Sequence, residues 1–175
     1  MIRARHALLA LAASAFLLPD ARADTLEAPV FSTMERDAYL EEYETFAGTV
    51  WEGTLLLYTR LDPALIDKIP GRVWTDEDRE MAGCGYDYLA ERDLLGVLDD
   101  FAANGVTIIE KIAADETITM LTVIRNPDAL PGMMPGEEMT AAMLECGSLQ
   151  LTAERMEAMG TNEAVLGAVM KAMSE

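Results

Sequence analysis

Apolar side chains recur through this sequence at alternating steps of three and four residues, a spacing that restricts the chain to helices each burying one stripe. The clearest run follows Glu137: Met139, Ala142, Cys146, Leu149, Ala153 and Met156. It predicts one long helix, with Gly147 as the place for a bend. Gly160 ends that helix and Thr161 caps the next, whose apolar face is Leu166, Val169, Met170 and Met173. Before it, Asn126 to Gly136 holds Pro127, Pro131, Gly132 and Pro135, which makes a loop.

Upstream, Ser32 and Glu35 form an S-x-x-E box that marks a helix start. Tyr39, Tyr43, Phe46 and Val50 then share one face, widened by Leu40, Ala47 and Trp51. Two continuations stay open: a helix running on through Gly53, or a break near Gly48 and Gly53. Asp62-Pro63 places an N-cap before a proline at the first helical position, and Ile69-Pro70-Gly71 stops the short helix that follows. Thr75 and Asp78 repeat the capping box, after which Met81, Cys84 or Gly85, and Tyr88 share a face. Gly83 and Gly85 weaken the helix around Cys84 and are expected to admit a close partner backbone. Leu94, Leu98 and Phe101 continue the helical pattern to Asn104-Gly105, a left-handed C-cap signal.

The segment from Val106 to Ile124 supports two readings. Six of the eight residues from Thr117 to Ile124 are β-branched, which fits a small hairpin at 106–124 turning at Ala113 to Glu116. Ile109, Ile112, Ile118, Leu121 and Ile124 also fit helical spacing. The helical surroundings and the marginal stability of an isolated hairpin favour the helix. The expected fold is therefore mainly α, an irregular bundle of about five to seven helices in a single domain over 32–175.

Residues 1–23 read as an export signal. Arg3, Arg5 and His6 form a positive start, Ala7 to Leu18 is apolar but below the roughly 20 residues that span a bilayer, and Ala21-Arg22-Ala23 offers small residues for cleavage before Asp24. Residues 24–31, with Pro29 and no periodicity, are expected to form a flexible N-terminal arm. The predicted location is the periplasm or the extracellular space, with no membrane span in the mature chain.

Cleavage removes His6, the only histidine of the sequence. Without imidazole the mature chain has no Ser-His-Asp or Cys-His machinery, no His-ligated zinc site and no histidine pH switch. The full chain has 13 basic and 31 acidic residues, a formal net charge of −18. Losing Arg3, Arg5, Arg22 and Asp20 leaves 10 basic and 30 acidic side chains. Such a chain repels nucleic acid and anionic membranes alike.

Two cysteines remain, Cys84 and Cys146. An oxidising compartment and an even count predict one disulfide. The chain lacks C-x-x-C spacing and any neighbouring His or Lys cluster that would favour a redox or metal-binding thiol pair. Closing a loop of 62 residues removes on the order of 4 kcal/mol of denatured-chain entropy in the loop model.

The remaining patterns point weakly to chemistry. Eight of the eleven mature methionines lie between Met133 and Met173, and soft sulfur suits Cu(I), with Met133, Met134, Met139 and Met143 the candidates. Core packing accounts for most of them. Asp76 to Glu80 offers alternate oxygens for Ca²⁺, but Met81 stands where a calcium loop needs glycine and Asp87 where it needs a bidentate Glu. Acids this numerous form pairs by chance, so a carboxylate-only hydrolase is an alternative without a specific signature. No Walker, G-x-G-x-x-G, S-x-x-K or G-x-S-x-G motif occurs. No catalytic residue, cofactor or metal ligand is assigned.

The expected function is non-enzymatic: an exported binding module whose acidic surface attracts a cationic protein or peptide. Met133 and Met134 on the proline-rich loop, and Tyr39 and Tyr43 on the first helix, are the candidate partner contacts. Cu(I) or Ca²⁺ binding is the further alternative. The export reading makes a direct prediction: mass spectrometry of secreted protein gives Asp24 as the first residue, and thiol titration without reductant finds no free sulfhydryl. An intact Met1 or two reactive thiols would overturn it.

Overall fold

The computed structural model describes residues 26–70 and 73–174, so the leader at 1–23 and the first residues of the arm lie outside the described residues. Seven α-helices occur among the described residues: α1 (Arg36–Leu61), α2 (Asp76–Ala90), α3 (Gly96–Ala114), α4 (Met120–Arg125), α5 (Glu137–Glu145), α6 (Ser148–Ala158) and α7 (Thr161–Ser174). Short 3₁₀ turns at Phe31–Thr33, Pro63–Lys68 and Pro127–Ala129 join them, and no strand occurs in these residues. The fold is the mainly α, irregular bundle with one disulfide that the apolar spacing predicts.

The spine is α1, 26 residues long and therefore about 39 Å at 1.5 Å per residue. It runs through Gly48 and Gly53 unbroken, which decides the alternative the sequence leaves open. Tyr39, Leu40 and Phe46 enter one apolar cluster with Phe31, Leu89, Leu98 and Ala102. Leu57 enters a second with Ile108, Ile112, Met120 and Leu130. Because α3 also contributes to both clusters, α1 and α3 form the shared wall of the two cores. They run parallel: Gly105 lies against Phe46 and Val50, and Gly53 one step further along lies against Ile109. By contrast α2 returns antiparallel to α1, since Glu44 pairs with Arg79 and the earlier Arg36 with the later Asp87, at 3.0 Å.

Asn104-Gly105 does not end a helix. α3 continues through both residues to Ala114. A methyl group at Gly105 would come 2.9 Å from Phe46 Cζ and 3.2 Å from Val50 Cγ2, so this glycine allows two helices to touch rather than terminating one. The stop comes ten residues later. Asp115 accepts from the Thr117 amide at 2.9 Å and from its hydroxyl at 2.6 Å, forming a turn. Arg60 reaches over from α1 and donates to the carbonyls of Ile112, Asp115 and Ile118 at 2.8, 3.0 and 3.2 Å. The Ile112 carbonyl is one that the end of α3 leaves without a helical partner, and Asp115 and Ile118 belong to the turn that follows. Thr119 then opens α4 with a capping box to Thr122. The stretch 106–124 is thus helix, turn and helix: Val106, Ile108, Ile112 and Ile118 are buried, whereas Thr117, Thr119 and Thr122 form the turn and the cap.

Four further local expectations are corrected. Ser32 and Glu35 make no capping box; α1 starts at Arg36 with no side-chain cap, and Ser32 donates its amide and hydroxyl to Asp99 of α3. That contact is long-range and leaves no local sequence trace. Gly83 does not admit the disulfide partner: the Arg36 guanidinium occupies the space its side chain would fill, while the space at Gly85 is open. The run after Glu137 is two helices, because Gly147 adopts φ +76° and re-aims the chain between α5 and α6. Thr161 begins α7, and its fully buried hydroxyl donates to the Lys68 carbonyl.

The segment before α1 adds one more difference. Phe31, placed in the arm by its lack of periodicity, is 0% exposed. Its ring meets Tyr39 and Phe46 edge-on at 5.2 and 5.8 Å between centroids, and Leu26 and Ala28 pack on the same cluster. Edge-on aromatic pairs add about 0.5–1.5 kcal/mol each beyond area burial.

Two glycine substitutions test this packing with opposite signs. Gly85→Ala meets open space and stabilises by about 0.5–1 kcal/mol through helix propensity. Gly105→Ala gains the same propensity but strikes Phe46, where overpacking costs about 1–3 kcal/mol, so it lowers stability net. Urea unfolding of the two variants measures both; equal shifts would refute the assigned role of Gly105.

Candidate functional site

Helices α1, α2, α5 and α6, with Ile69, Pro70, Val73 and Trp74, line a cleft. Two cavities make it up. One of about 240 Å³ is lined by Tyr39, Tyr43, Met81, Met143 and Cys146 among others. The second, about 210 Å³, is lined by Trp51, Tyr58, Pro70, Val73, Arg155 and Met156 among others. Ala47, Trp74, Asp78 and Thr152 border both, so these four residues form the partition.

The helical spacing of α1 supplies one wall, since Ala47, Trp51 and Tyr58 fall on one face. Trp74 reaches the partition from the segment before α2 and meets the Tyr43 ring edge-on at 5.7 Å. Both tryptophans of the chain therefore line the same cleft. Burial pushes the hydroxyl pKa of Tyr58 upward, and that of Tyr39 too, reinforced by Tyr43 and Tyr86 nearby. These phenols stay protonated across the physiological range.

One ion pair lines the second cavity. Arg155 of α6 donates to Asp78 at 2.7 and 3.1 Å and to the Thr75 hydroxyl at 3.2 Å. Thr75 caps α2, and its amide donates to the same carboxylate at 2.8 Å. Burial pushes the Asp78 carboxyl upward, but the bonds from Arg155 and Thr75 together outweigh it and hold it below its ordinary value. Glu77 also stands 3.9 Å from Arg155. Two consecutive acids, Glu77 and Asp78, thus pair with one cation.

The position of Arg155 depends on the disulfide. Cys84 and Cys146 are bonded, with Cα atoms 5.7 Å apart, which ties the middle of α2 to the end of α5. Gly147 then turns the chain into α6. Two cross-links, one covalent and one ionic, consequently hold α6 against α2 and keep the cleft's shape.

The residues singled out from the sequence are distributed differently. Cys84 and Cys146 meet as predicted. Tyr39 is 2% exposed, inside the aromatic group with Phe31 and Tyr86 at 5.2 and 4.9 Å, and Tyr43 lies beside it at the cleft. Met133 packs on the second core cluster, whereas Met134 is 83% exposed. The structure does not gather these four into one surface. Among the described residues, no three His, Cys, Asp or Glu side chains gather as a metal site, and no helix is long and apolar enough to cross a membrane. Asp78 is the one carboxylate bordering the two cavities, so this cleft does not assemble the facing acid pair that glycoside hydrolysis requires. Sequence reading missed Trp74, Tyr58 and Arg155 as a group. The usable signal was the rarity of tryptophan, with two in the whole chain.

Comparison with known protein families, with curated proteins and with solved structures finds no match to this chain. The cleft's chemistry is therefore read from its own residues.

A carboxyl held ionised by its partner contributes stability above the unfolded-state pKa, and that contribution disappears as pH falls through the lowered folded-state value. Asp78→Asn should therefore destabilise by about 1 kcal/mol at neutral pH. The gap from wild type should close below about pH 4, where the wild-type carboxyl also begins to protonate. Denaturant unfolding across pH 2–7 checks this; a gap independent of pH would show that the ion pair contributes nothing.

Proposed function

We propose that the protein is an exported binding module that takes a cationic, partly apolar segment of a partner protein or peptide in the cleft between α1, α2 and α6. The observation that carries this reading is the pairing of aromatic walls with local negative charge. Trp51, Tyr58 and Trp74 line the second cavity, and Asp76, Glu77 and Asp78 stand in the first turn of α2 at its edge. An ammonium or guanidinium group near an aromatic face gains about 0.5–2 kcal/mol, more where water is excluded. The apolar lining, including the 76% exposed Val73, accepts the partner's aliphatic side chains. Arg155 does not oppose a cation, because Asp78 and Glu77 already neutralise it.

The wider charge favours the same partner. A mature chain with 10 basic and 30 acidic side chains steers cations toward itself and repels anions, an effect strongest at low ionic strength. The disulfide supports a periplasmic or extracellular setting, where thiols oxidise. Within this reading the cleft replaces the loop Asn126–Gly136 as the contact surface, since Leu130 is 1% exposed and Met133 packs inward.

Because both tryptophans line the cleft, their fluorescence reports occupancy directly. An amphipathic Lys/Leu peptide should shift the emission saturably, and a Glu/Leu peptide of the same pattern should not. Raising salt from about 0.05 to 0.5 M should weaken the Lys/Leu complex at least several-fold, because the Debye length shortens from about 14 to 4 Å. Trp74→Ala should abolish binding with little change in circular dichroism. Equal response to both peptides, or indifference to salt, would sink the reading.

A further inference from the structure

The first cavity of the cleft, about 240 Å³, reaches from the surface into the core. Thr152 of its lining is exposed and marks the side open to solvent, whereas Tyr39, Leu89, Leu98, Met139 and Ala142 are buried. Rings and thioethers dominate the lining: Tyr39, Tyr43 and Trp74 with Met81, Met139 and Met143. Asp78 is its one charged side chain, and that carboxylate is committed to Thr75 and Arg155. Apart from this pair the cavity offers no charge, and an ion entering it would lose hydration without compensation.

The hydroxyls of the lining differ in how they are used. Ser148 donates to the Met143 carbonyl at 3.2 Å and Thr152 to the Ser148 carbonyl at 2.9 Å. Tyr86, beside Tyr39 but outside the lining, donates to the Met34 carbonyl at 2.7 Å. The hydroxyls of Tyr39 and Tyr43 have no hydrogen-bond partner among the described residues. For Tyr39, 2% exposed, this is unusual, because a buried phenol ordinarily finds an acceptor. No side-chain oxygen sealed from solvent lacks a partner among these residues, so the Tyr39 hydroxyl opens onto the cavity that its ring lines. Tyr43 stacks beside it, 5.2 Å between centroids, and places a second phenol on the same wall. Burial raises the pKa of both, so each remains an O–H donor.

We infer that this cavity binds a small uncharged aromatic molecule, and that the Tyr39 hydroxyl donates to an acceptor oxygen on it. A cavity of about 150 Å³ with an apolar lining holds benzene, so this one admits a single ring bearing a short carbonyl substituent. The ring matches the lining, since aromatic edges and faces pair with one another and with thioether sulfur. A carbonyl oxygen accepts from Tyr39, whereas a carboxylate brings a charge opposed by the apolar lining and by the ionised Asp78. The site is distinct from the one proposed for a cationic segment, which rests on the second cavity and on the acids of α2.

The test titrates the disulfide-bonded mature chain with acetophenone, isopropylbenzene and benzoate, three molecules of nearly one shape. Acetophenone should bind saturably with a Kd on the order of 1 mM or tighter. In nuclear magnetic resonance of methyl-labelled methionine it should shift the signals of Met81, Met139 and Met143 and not that of Met156, which lines the second cavity. Tyr39→Phe keeps the ring and removes the hydroxyl, so it should weaken acetophenone about threefold or more, a hydrogen bond at the low end of its net value, and leave isopropylbenzene unchanged. Because that hydroxyl bonds to nothing in the protein, the variant should unfold at no lower urea concentration than wild type. Benzoate should not bind. Tyr39→Phe should leave binding of the Lys/Leu peptide unaltered, and acetophenone affinity should stay within about twofold from 0.05 to 0.5 M NaCl, so this inference and the peptide reading fail separately. Absence of saturation by acetophenone, methyl shifts confined to Met156, equal weakening of both neutral probes by Tyr39→Phe, a loss of stability in that variant, or benzoate binding as tight as acetophenone would each refute it.

Discussion

The Cys84–Cys146 bond is the constraint on which the cleft depends. It joins α2 to the end of α5, and α5 and α6 have only nine and eleven residues, lengths at which isolated helices are marginal in water. They persist because one end is covalently anchored and the faces pack on α2. From that anchor the left-handed Gly147 sets the direction of α6, and the direction of α6 brings Arg155 to Asp78. The covalent bond, the turn and the ion pair act in series. Loss of the first would free the other two, which is why an oxidising setting and the cleft belong to the same account.

A second constraint works through the absence of side chains. α1 and α3 run parallel through both apolar clusters, and such close contact between helices needs a small residue where their surfaces meet. Gly105 against Phe46 and Gly53 against Ile109 supply it. Both glycines sit inside helices and weaken them locally, by about 1 kcal/mol each relative to alanine. The packing that they permit offsets this loss. Arg60 completes the pair by binding carbonyls at the end of α3, so the longest helix of the protein also terminates its neighbour.

Charge and apolar exposure are distributed unevenly, and the proposed cleft follows from that division. The acids crowd α2 and α5, whereas α4 and α7 are close to neutral and expose Ile124, Leu166, Met170 and Met173. An acidic rim around aromatic walls suits a cation.

Local chemistry was legible in the sequence, and long-range contact was not. The periodicity located the helices, Asp62-Pro63 and Thr75 to Asp78 announced real caps, and the even cysteine count pointed to the disulfide, because each of those signals acts within a few residues or through simple pairing. Ser32, Gly83, Asn104-Gly105 and Thr161 were misread for one shared reason: each resembles a local device, yet its partner, respectively Asp99, Arg36, Phe46 and Lys68, lies at least 47 residues away along the chain. The gathering of Trp51, Tyr58, Trp74 and Arg155 around one cleft has the same origin. A sequence determines which residues will seek burial and which helices they form. Only the tertiary structure decides which of those faces meet and which, as on α7, are left without a cover, because that choice depends on the sum of contacts over the whole chain.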